Sequence, residues 1–349
     1  MKHTQTTTSI IVGSGIIGGK LKEILGNRGH KVAATATQRF VVHEGGKNAI
    51  TPASSFKKIT AALAPFCKKA EFAFVAIPTK DKGENALKYI QFFLSKGMRV
   101  ITAEKGSLAY HYATLFPYLS KIGRAAACGG GTDMVHDLVR RRLWDEDVTV
   151  SLVINGTLNY IWSGLNAGRS FGAVVNEAKR HGYAEPGNSD PVGLINGEIG
   201  GDLRKKICVA GNEAFAPRGG PFWHPDKISF KPVKKSDLTE LASPGRRYRY
   251  IVRIAIVPFL KEYGDNSPGR MSAKFGRWYV SGGFHNIAAG SPMDTWLRGV
   301  DGVNNGFLIH SANGEDTGHH LGGPGAGAET TAMAMYRDML RLASKKLSS

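Results

Sequence analysis

The sequence predicts an α/β fold in two domains, a doubly wound parallel sheet followed by an α+β domain, and three observations support this. The chain has 349 residues, whereas single hydrophobic cores usually stop growing at about 250–300 residues. A buried-strand pattern near the start leads directly into a glycine-rich turn and a helix, as parallel α/β units do. Strand-like runs in the second half favour a mainly antiparallel sheet there; they cover 250–257, 277–280 and 306–309.

The composition is that of a globular chain in a reducing compartment. Hydrophobic residues make up 42% of the sequence, which excludes a disordered class. The cysteines Cys67, Cys128 and Cys208 form no CxxC pair, so neither a disulfide framework nor a cysteine zinc site is predicted. The sequence has no apolar run of about 18 residues, and its start lacks a signal-peptide layout. We therefore expect a cytoplasmic protein with no membrane segment and no metal.

The net charge of +18 suits a polyanionic partner, either nucleic acid or a phosphate-bearing cofactor. The basic residues are scattered as pairs and triplets, and only 246–250 interleaves arginines with tyrosines. The continuation of that segment is typical of a sheet strand, so no nucleic-acid partner is expected. A basic nucleotide-sensing or nucleic-acid-binding protein remains the non-enzyme alternative.

The glycine turn has the context required of a dinucleotide site. A strand at 9–12 is followed by GSGIIG, a helix at 20–28 and a second strand at 30–36. In such a GxGxxG turn the first glycine permits the tight bend, the second lets the backbone approach the pyrophosphate, and the third lets helix and strand pack closely. This defines the Rossmann type of fold, and the predicted cofactor-binding residues of the turn are Gly13, Gly15, Ile16, Ile17 and Gly18.

The end of the second strand favours NADP, with NAD as the alternative. An acidic residue there would bond the ribose hydroxyl of NAD, but the sequence reads TATQR and has no acid. Arg39 is instead available for a 2′-phosphate, although an ordinary exposed arginine fits the pattern equally well.

Two later strands are expected to bring further groups to the same edge of the sheet. The strand at 72–77 ends in Pro78 and Thr79, which should lie near the nicotinamide half of the cofactor. The strand at 99–102 places Lys105 at the carboxyl edge. After these, 125–131 is predicted as a strand running into three glycines, and 132–143 as a helix.

The stretch from 182 to 206 holds the strongest catalytic candidates. Asp202 and Lys206 have i,i+4 spacing, so a helix would place both side chains on one face, and Glu185 lies in the preceding loop. These groups suit a small polar substrate, whereas a solvated surface ion pair is the alternative.

Six motifs in order resemble the homoserine dehydrogenase family: GSGIIG, VITAEK, NGTLNYI, GYAEP, DLRKK and GPGAG. The resemblance implies an NAD(P)-dependent enzyme that interconverts L-aspartate 4-semialdehyde and L-homoserine. It also implies a homodimer, and a C-terminal helix that returns to the Rossmann domain. The corresponding boundaries are 1–134 for the Rossmann domain, 135–315 for substrate binding and dimerisation, and 316–349 for the returning segment.

The resemblance also assigns roles to individual residues. Lys206 corresponds to the catalytic lysine and Asp202 to its partner, while Glu185 corresponds to the acid that binds the substrate amino group. Lys105 matches the lysine of the family's VTANK motif, with catalytic and cofactor roles. Asp190 corresponds to the middle acid, with Glu198 as its competitor. Two glycines correspond to backbone positions near the cofactor, namely Gly182 and Gly327.

The chain departs from the family pattern in three places. The acid linked to a monovalent-cation site is missing from AAACGGG, so no such site is expected. Glu104 stands where the family has asparagine. Glu185 and Asp202 are 17 positions apart, which is wider than the family spacing, and the extra residues fall around 195–201. Such an inserted loop favours an alternative, a related oxidoreductase acting on another small amino or hydroxy acid. A zinc enzyme using His319 and His320 is a minor alternative, since surface-loop histidines fit the pattern better.

Overall fold

The computed structural model describes residues 6–43, 50–141, 143, 147–183, 190–216, 220–243, 245–257, 267–311 and 319–344, with only the backbone of Ser311, His319 and His320. The chain divides into two compact units. The first unit is Met1–Ala127 together with Ala328–Ser349, and the second is Cys128–Gly327. Among the described residues, no helix has the length and apolar character needed to cross a membrane.

The first unit is built on a seven-stranded sheet with the order β4-β3-β2-β1-β5-β6-β7. Strands β2, β1, β5, β6 and β7 are parallel, whereas β3 and β4 are added antiparallel at one edge. The strands are β1 (Thr8–Val12), β2 (Lys31–Ala36), β3 (Phe40–His43), β4 (Ile50–Pro52), β5 (Phe72–Val75), β6 (Arg99–Thr102) and β7 (Ile122–Gly123). The helices between them are α1 (Ile16–Asn27), α2 (Phe56–Cys67), α3 (Glu84–Ser95), α4 (Lys105–Tyr110) and α5 (Tyr112–Leu115). The chain order reverses between β1 and β5, which is where doubly wound sheets bind ligands.

The last helix of the chain, Ala328–Ser344, completes this first unit. Its apolar face enters the core formed by β1, β5 and α1, where Met335 and Met339 are fully buried. The Asp338 carboxylate, 1% exposed, accepts the Ala125 N–H at 2.8 Å. The sequence segment 328–344 is thus a structural part of the unit that begins with β1.

The second unit is a seven-stranded antiparallel sheet with the order β14-β13-β8-β10-β12-β11-β9. Its strands are β8 (Val148–Val153), β9 (Ser229–Phe230), β10 (Tyr248–Ala255), β11 (Met271–Phe275), β12 (Trp278–Asn286), β13 (Asn304–Ser311) and β14 (His319–Pro324). Its helices are α6 (Met134–Arg141), α7 (Gly156–Asn166), α8 (Phe171–Arg180), α9 (Pro191–Gly197), α10 (Arg204–Ala214), α11 (Lys235–Leu241) and α12 (Pro292–Arg298), and we number the final helix Ala328–Ser344 as α13.

Helix α10 is deeply buried, since every residue from Lys206 to Ala214 is buried. The Trp223 ring packs so closely on Gly211 that an added Cβ would lie 1.9 Å from it. The Asn212 amide pairs with the backbone of Trp223 in both directions, at 2.6 and 2.9 Å. These contacts fix the helix that carries Lys206.

The structure corrects several predictions of local structure. Residues 125–131 are not a strand: Ala125–Ala127 forms a 3₁₀ turn, and Gly129 and Gly130 have φ of +90° and +56°, values that a strand does not adopt. Residues 195–201 are not a loop, because they complete α9 and enter a π-helix at Glu198–Leu203.

Three further elements of the structure were not predicted from the sequence. The hairpin of β3 and β4 was not predicted, because its short and largely exposed strands lack an apolar alternation. The stretch 216–245 contains β9 and α11, although its sequence shows no clear periodicity. His319 and His320 begin β14 and do not lie in a loop.

Candidate active site

The turn after β1 is shaped by close backbone contacts. Gly13 has φ of +108°, and a Cβ there would lie 2.2 Å from the carbonyl oxygen of Ala76, which follows β5. A Cβ on Gly18 would lie 1.9 Å from the Gly13 carbonyl oxygen, so α1 can approach the turn only because this residue is glycine. Gly15, at the helix N-cap, has open space around its Cβ position. The cradle therefore fits a pyrophosphate at the N-terminus of α1.

The two isoleucines of this turn differ in environment. Ile17 packs against the core of the unit, whereas Ile16 is 82% exposed at the first position of α1. Ile16 therefore leaves an apolar side chain exposed at the opening of the cradle.

Arg39 lies in the turn between β2 and β3 and is exposed. The Thr37 hydroxyl oxygen accepts the backbone N–H groups of Arg39 and Phe40, both at 3.1 Å, and orders the turn. Arg39 is thus held just beyond the carboxyl end of β2, where a doubly wound fold places the adenosine ribose.

Glu104 joins the ends of the neighbouring strands β5 and β6. The Thr79 hydroxyl, which follows β5, donates to the Glu104 carboxylate. The same carboxylate caps α4 by accepting the N–H groups of Gly106 at 2.6 Å and Ser107 at 2.7 Å. Lys105 is the first residue of that helix and is partly buried. The acid that departs from the family motif is therefore a buried helix cap that fixes the backbone of Lys105.

Pro78, one residue before Thr79, is exposed after β5. It lies in the same strand-end segment as Thr79.

The second unit contains a cluster centred on Lys206, defined here as Asn155, Glu198, Asp202 and Lys206. The Lys206 ammonium, with its side chain 11% exposed, lies 2.9 Å from Asp202 Oδ2. Asn155 Nδ2 donates to Asp202 Oδ2 at 3.0 Å and to Glu198 Oε2 at 2.6 Å. One buried amide thus holds two carboxylates together, and one of those carboxylates pairs with the lysine.

Three helical elements position this cluster. Asn155 is the N-cap of α7, and its Oδ1 accepts the Leu158 N–H at 2.7 Å, so the amide is held at both ends. Glu198 and Asp202 lie on the π-helix, and Lys206 lies in the first turn of α10. The π-helical winding brings the extra acid, Glu198, to the same amide as Asp202, and π-helical turns are frequent at functional sites.

Asp190 has a structural partner of its own. It is the N-cap of α9, where its carboxylate accepts the N–H groups of Val192 at 3.2 Å and Gly193 at 2.9 Å. The acid that joins the cluster is Glu198. Glu185 lies outside the described residues, so the structure gives no geometry for it.

The two glycines assigned to the cofactor both have left-handed backbone conformations. Gly182 follows α8 with φ of +70°, and Gly327 precedes α13 with φ of +115°. Thr157, near the start of α7, donates its hydroxyl to the Tyr183 carbonyl oxygen at 2.5 Å and so links the segment after Gly182 to the helix that Asn155 caps.

Sequence reasoning did not assign Asn155 a role. The NGT motif could have indicated this role. It places an asparagine directly before a helix, and asparagine is a favoured N-cap residue. No group of three or more His, Cys, Asp or Glu residues in the described ranges is placed to hold a metal ion.

A doubly wound sheet with a glycine cradle, joined in one chain to a buried lysine–carboxylate pair, defines the class of NAD(P)-dependent oxidoreductases. A family model described as homoserine dehydrogenase matches residues 136–340. The chain belongs to the homoserine dehydrogenase family.

Individual relatives agree with this family. The chain is 26% identical over 190 residues to an NAD(+)-dependent homoserine dehydrogenase of Pseudomonas canavaninivorans, covering 53% of this chain and 51% of that protein. It is 27% identical over 254 residues to homoserine dehydrogenase of Synechocystis, covering 70% and 51%. The match thus spans about half the length of these curated relatives.

Solved structures share the fold. Homoserine dehydrogenase of Thermoplasma acidophilum superposes with a TM-score of 0.69 at 18% identity, covering 97% of this chain and 100% of that chain. A hyperthermophilic archaeal homoserine dehydrogenase in complex with NADPH superposes with a TM-score of 0.64 at 17% identity, covering 98% of both chains. The prediction of a Rossmann sheet plus a second α+β unit is confirmed.

Proposed function

We propose that the protein interconverts L-aspartate 4-semialdehyde and L-homoserine by hydride transfer. The observation that carries this proposal is the buried Lys206 ammonium, held 2.9 Å from Asp202 within the cluster. A bound NADP, with NAD as the alternative, supplies or accepts the hydride. Lys206 donates a proton to the substrate oxygen during reduction and accepts it in the reverse direction, a role that contributes roughly 10²–10⁴-fold to rates.

The charge of the cluster supports an amino-acid substrate. Glu198 and Asp202 place two carboxylates beside the single ammonium of Lys206, so the described cluster has an excess of negative charge. A substrate ammonium group offsets that excess. We propose Glu185 and Asp190 as further substrate-binding residues from their place in the motif, and Lys105 as the lysine at the cofactor edge.

The decisive experiment compares Lys206→Met with Lys205→Met in the NADPH-dependent reduction of aspartate semialdehyde. Both lysines lie in the first turn of α10; Lys206 is buried with its ammonium 2.9 Å from Asp202, whereas Lys205 is half-buried. Lys206→Met should lose roughly 10²–10⁴-fold in kcat, as expected for a lost proton donor, while NADPH binding is retained. Lys205→Met should keep its activity within about threefold.

The outcomes separate chemistry from folding. Circular dichroism and NADPH fluorescence titration check that the Lys206→Met protein is folded and binds its cofactor. A Lys206→Met enzyme that retains more than about a tenth of the wild-type kcat contradicts its role as proton donor.

Cofactor selection is proposed to rest on Arg39. Arg39→Gln removes the charge that would bond a 2′-phosphate, so the Kd of NADPH should rise roughly 10- to 100-fold, the value of charge-assisted hydrogen bonds. The Kd of NADH serves as the internal control and should change little. Equal weakening of both cofactors would show that Arg39 only supports the fold of the turn.

A second candidate function is oxidoreduction of a different small amino or hydroxy acid. It is favoured by the helical insertion that brings Glu198 into the cluster. A panel of amino and hydroxy acids with NADP and NAD distinguishes the two candidates. NADPH binding without turnover of aspartate semialdehyde, together with turnover of another panel member, supports this second candidate.

We also propose that the protein is a homodimer, as the resemblance to the family implies. The functional division we propose assigns the cofactor to 1–134 with 316–349, and substrate binding and dimerisation to 135–315. Light scattering of the purified protein should give twice the mass of one chain, and a monomer at micromolar concentration contradicts the dimer.

A further inference from the structure

A polar cavity of about 270 Å³ lies in the second unit, with a lining separate from the Lys206 cluster. Its walls come from the last turn of α7, the start of β10, the end of β12 and helix α12. Three arginines and two aspartates line it, and they are Arg247, Arg249, Arg298, Asp294 and Asp301. The cavity wall therefore carries an excess of one positive charge.

One of the two aspartates is already saturated by donors. Asp294 accepts the Gly290 N–H at 2.9 Å, a guanidinium N–H of Arg247 at 2.7 Å and one of Arg298 at 3.1 Å. The Gly290 N–H and these arginines lower the pKa of Asp294 to about 2. Asp294 is thus a fixed anion that orients two arginines and has little capacity to accept a further donor.

Arg249 is the most buried of the three arginines that line the cavity. The residue is 8% exposed, and it pairs through one terminal nitrogen with Asp301 at 2.9 Å. Its Nε is buried and has no hydrogen-bond partner among the described residues. Because this guanidinium is held away from water, an anion placed beside it gains more electrostatic stabilisation than it would beside an exposed arginine.

We propose that this cavity binds a small aliphatic carboxylate. The arginines provide donors in a geometry that suits a planar carboxylate, and their charge exceeds that of the two lining aspartates by one. Leu297 and Ile287, which also line the cavity, give an apolar surface for a short hydrocarbon chain. No residue of the Lys206 cluster lines this cavity, so it is a second site in addition to the proposed catalytic one.

The test uses three probes with the full-length protein: isobutyrate, its neutral isostere isobutyramide, and inorganic phosphate. Isothermal titration calorimetry should detect isobutyrate, with binding by isobutyramide at least roughly tenfold weaker, since the amide lacks the charge. Equal binding of isobutyrate and isobutyramide, or binding of phosphate alone, overturns the carboxylate assignment.

Variants locate the binding. Arg249→Gln should weaken isobutyrate binding at least roughly tenfold, the value of a lost charge-assisted bond. The matched control is Arg277→Gln. Arg277 forms an ion pair with Asp147, just as Arg249 does with Asp301, and both aspartate side chains are 62% exposed. Unchanged binding in Arg249→Gln, or the same loss in Arg277→Gln, overturns the site.

A second variant keeps the test valid if Arg249→Gln fails to fold. Arg298 is 71% exposed on α12, so Arg298→Gln removes one cavity guanidinium without disturbing the core. It should weaken isobutyrate binding roughly fivefold, and unchanged binding contradicts the proposal. Because binding is measured without turnover, failure here leaves the proposed dehydrogenase activity untouched.

Discussion

Replacing Asn155 by aspartate would convert the donor that joins Glu198 and Asp202 into a third carboxylate. The change keeps the shape of the side chain and the oxygen that accepts the Leu158 N–H, so the cap of α7 survives. It removes the N–H donors at 2.6 and 3.0 Å from the two acids and puts an acceptor there. The stability of the folded state should then depend strongly on pH.

The size of the pH effect depends on how the three carboxyl groups respond. They can all stay ionised and repel one another, or one of them can take up a proton. Three ionised carboxylates at these separations would repel by about 5 kcal/mol per close pair at an effective dielectric constant of about 20. Protonating one carboxyl at pH 7 costs only about 4 kcal/mol, because its ordinary pKa is about 3.9. Protonation is therefore the favoured response, and the folded-state pKa of one carboxyl in the cluster is raised.

The sign of the pH effect follows from that raised pKa. A group with a raised folded-state pKa loses stability as pH rises from its unfolded pKa to its folded pKa. The Asn155→Asp protein should therefore lose about 1.4 kcal/mol of unfolding free energy per pH unit between about pH 4 and 7, relative to wild type.

The assay is urea unfolding followed by circular dichroism at pH 5.0 and 7.5. Asn155→Ser is the matched control, because serine keeps a capping oxygen and adds no charge. The unfolding free energy that Asn155→Ser loses relative to wild type should therefore be nearly the same at both pH values. An Asn155→Asp protein that is destabilised equally at both values would refute the carboxylate cluster as described.

Three further predictions concern the second unit. Glu198→Gln keeps the acceptor for the Asn155 amide but removes one charge, so KM for an ammonium-bearing substrate should rise roughly tenfold with kcat changed less than about threefold; a fall in kcat alone contradicts this. Burial lowers the pKa of His285 to about 4, so wild-type stability should fall as pH drops from about 6.5 towards 4. Between pH 7.5 and 5.0, the free energy of unfolding measured with urea should fall less in His285→Gln than in wild type. An equal fall in both proteins would contradict the role of His285. Gly211→Ala drives a Cβ into the Trp223 ring and should cost at least about 2 kcal/mol by urea unfolding, whereas Gly172→Ala, with open space around it, should be near neutral or stabilising.

The parts of the fold predicted from sequence are those dictated by local geometry. The glycines at 13 and 18 are required by backbone approaches of about 2 Å that no other residue tolerates, so the GxGxxG pattern carries direct structural information. The Asp202–Lys206 ion pair also followed from spacing alone, because four residues along a helix return to nearly the same face.

The remaining parts of the site depend on contacts far apart in sequence. Asn155 meets Glu198 and Asp202 across 43 and 47 positions, and no local pattern encodes which acid an amide will face. The position of Glu198 in the cluster depends on the winding of 198–203, since π-helical and α-helical turns point the same residue in different directions. Composition and periodicity do not distinguish these two windings.

The position of α13 has a consequence for the order in which the protein is made. The second unit is a continuous stretch, Cys128–Gly327, and all of its residues have been synthesised before α13. The first unit begins at the N-terminus, yet Met335, Met339 and Asp338 belong to its buried interior. Domains usually fold in order from the N-terminus during synthesis, but the first unit can complete its core only after α13 has been synthesised. The second unit, which is continuous in sequence, does not depend on a later segment in this way.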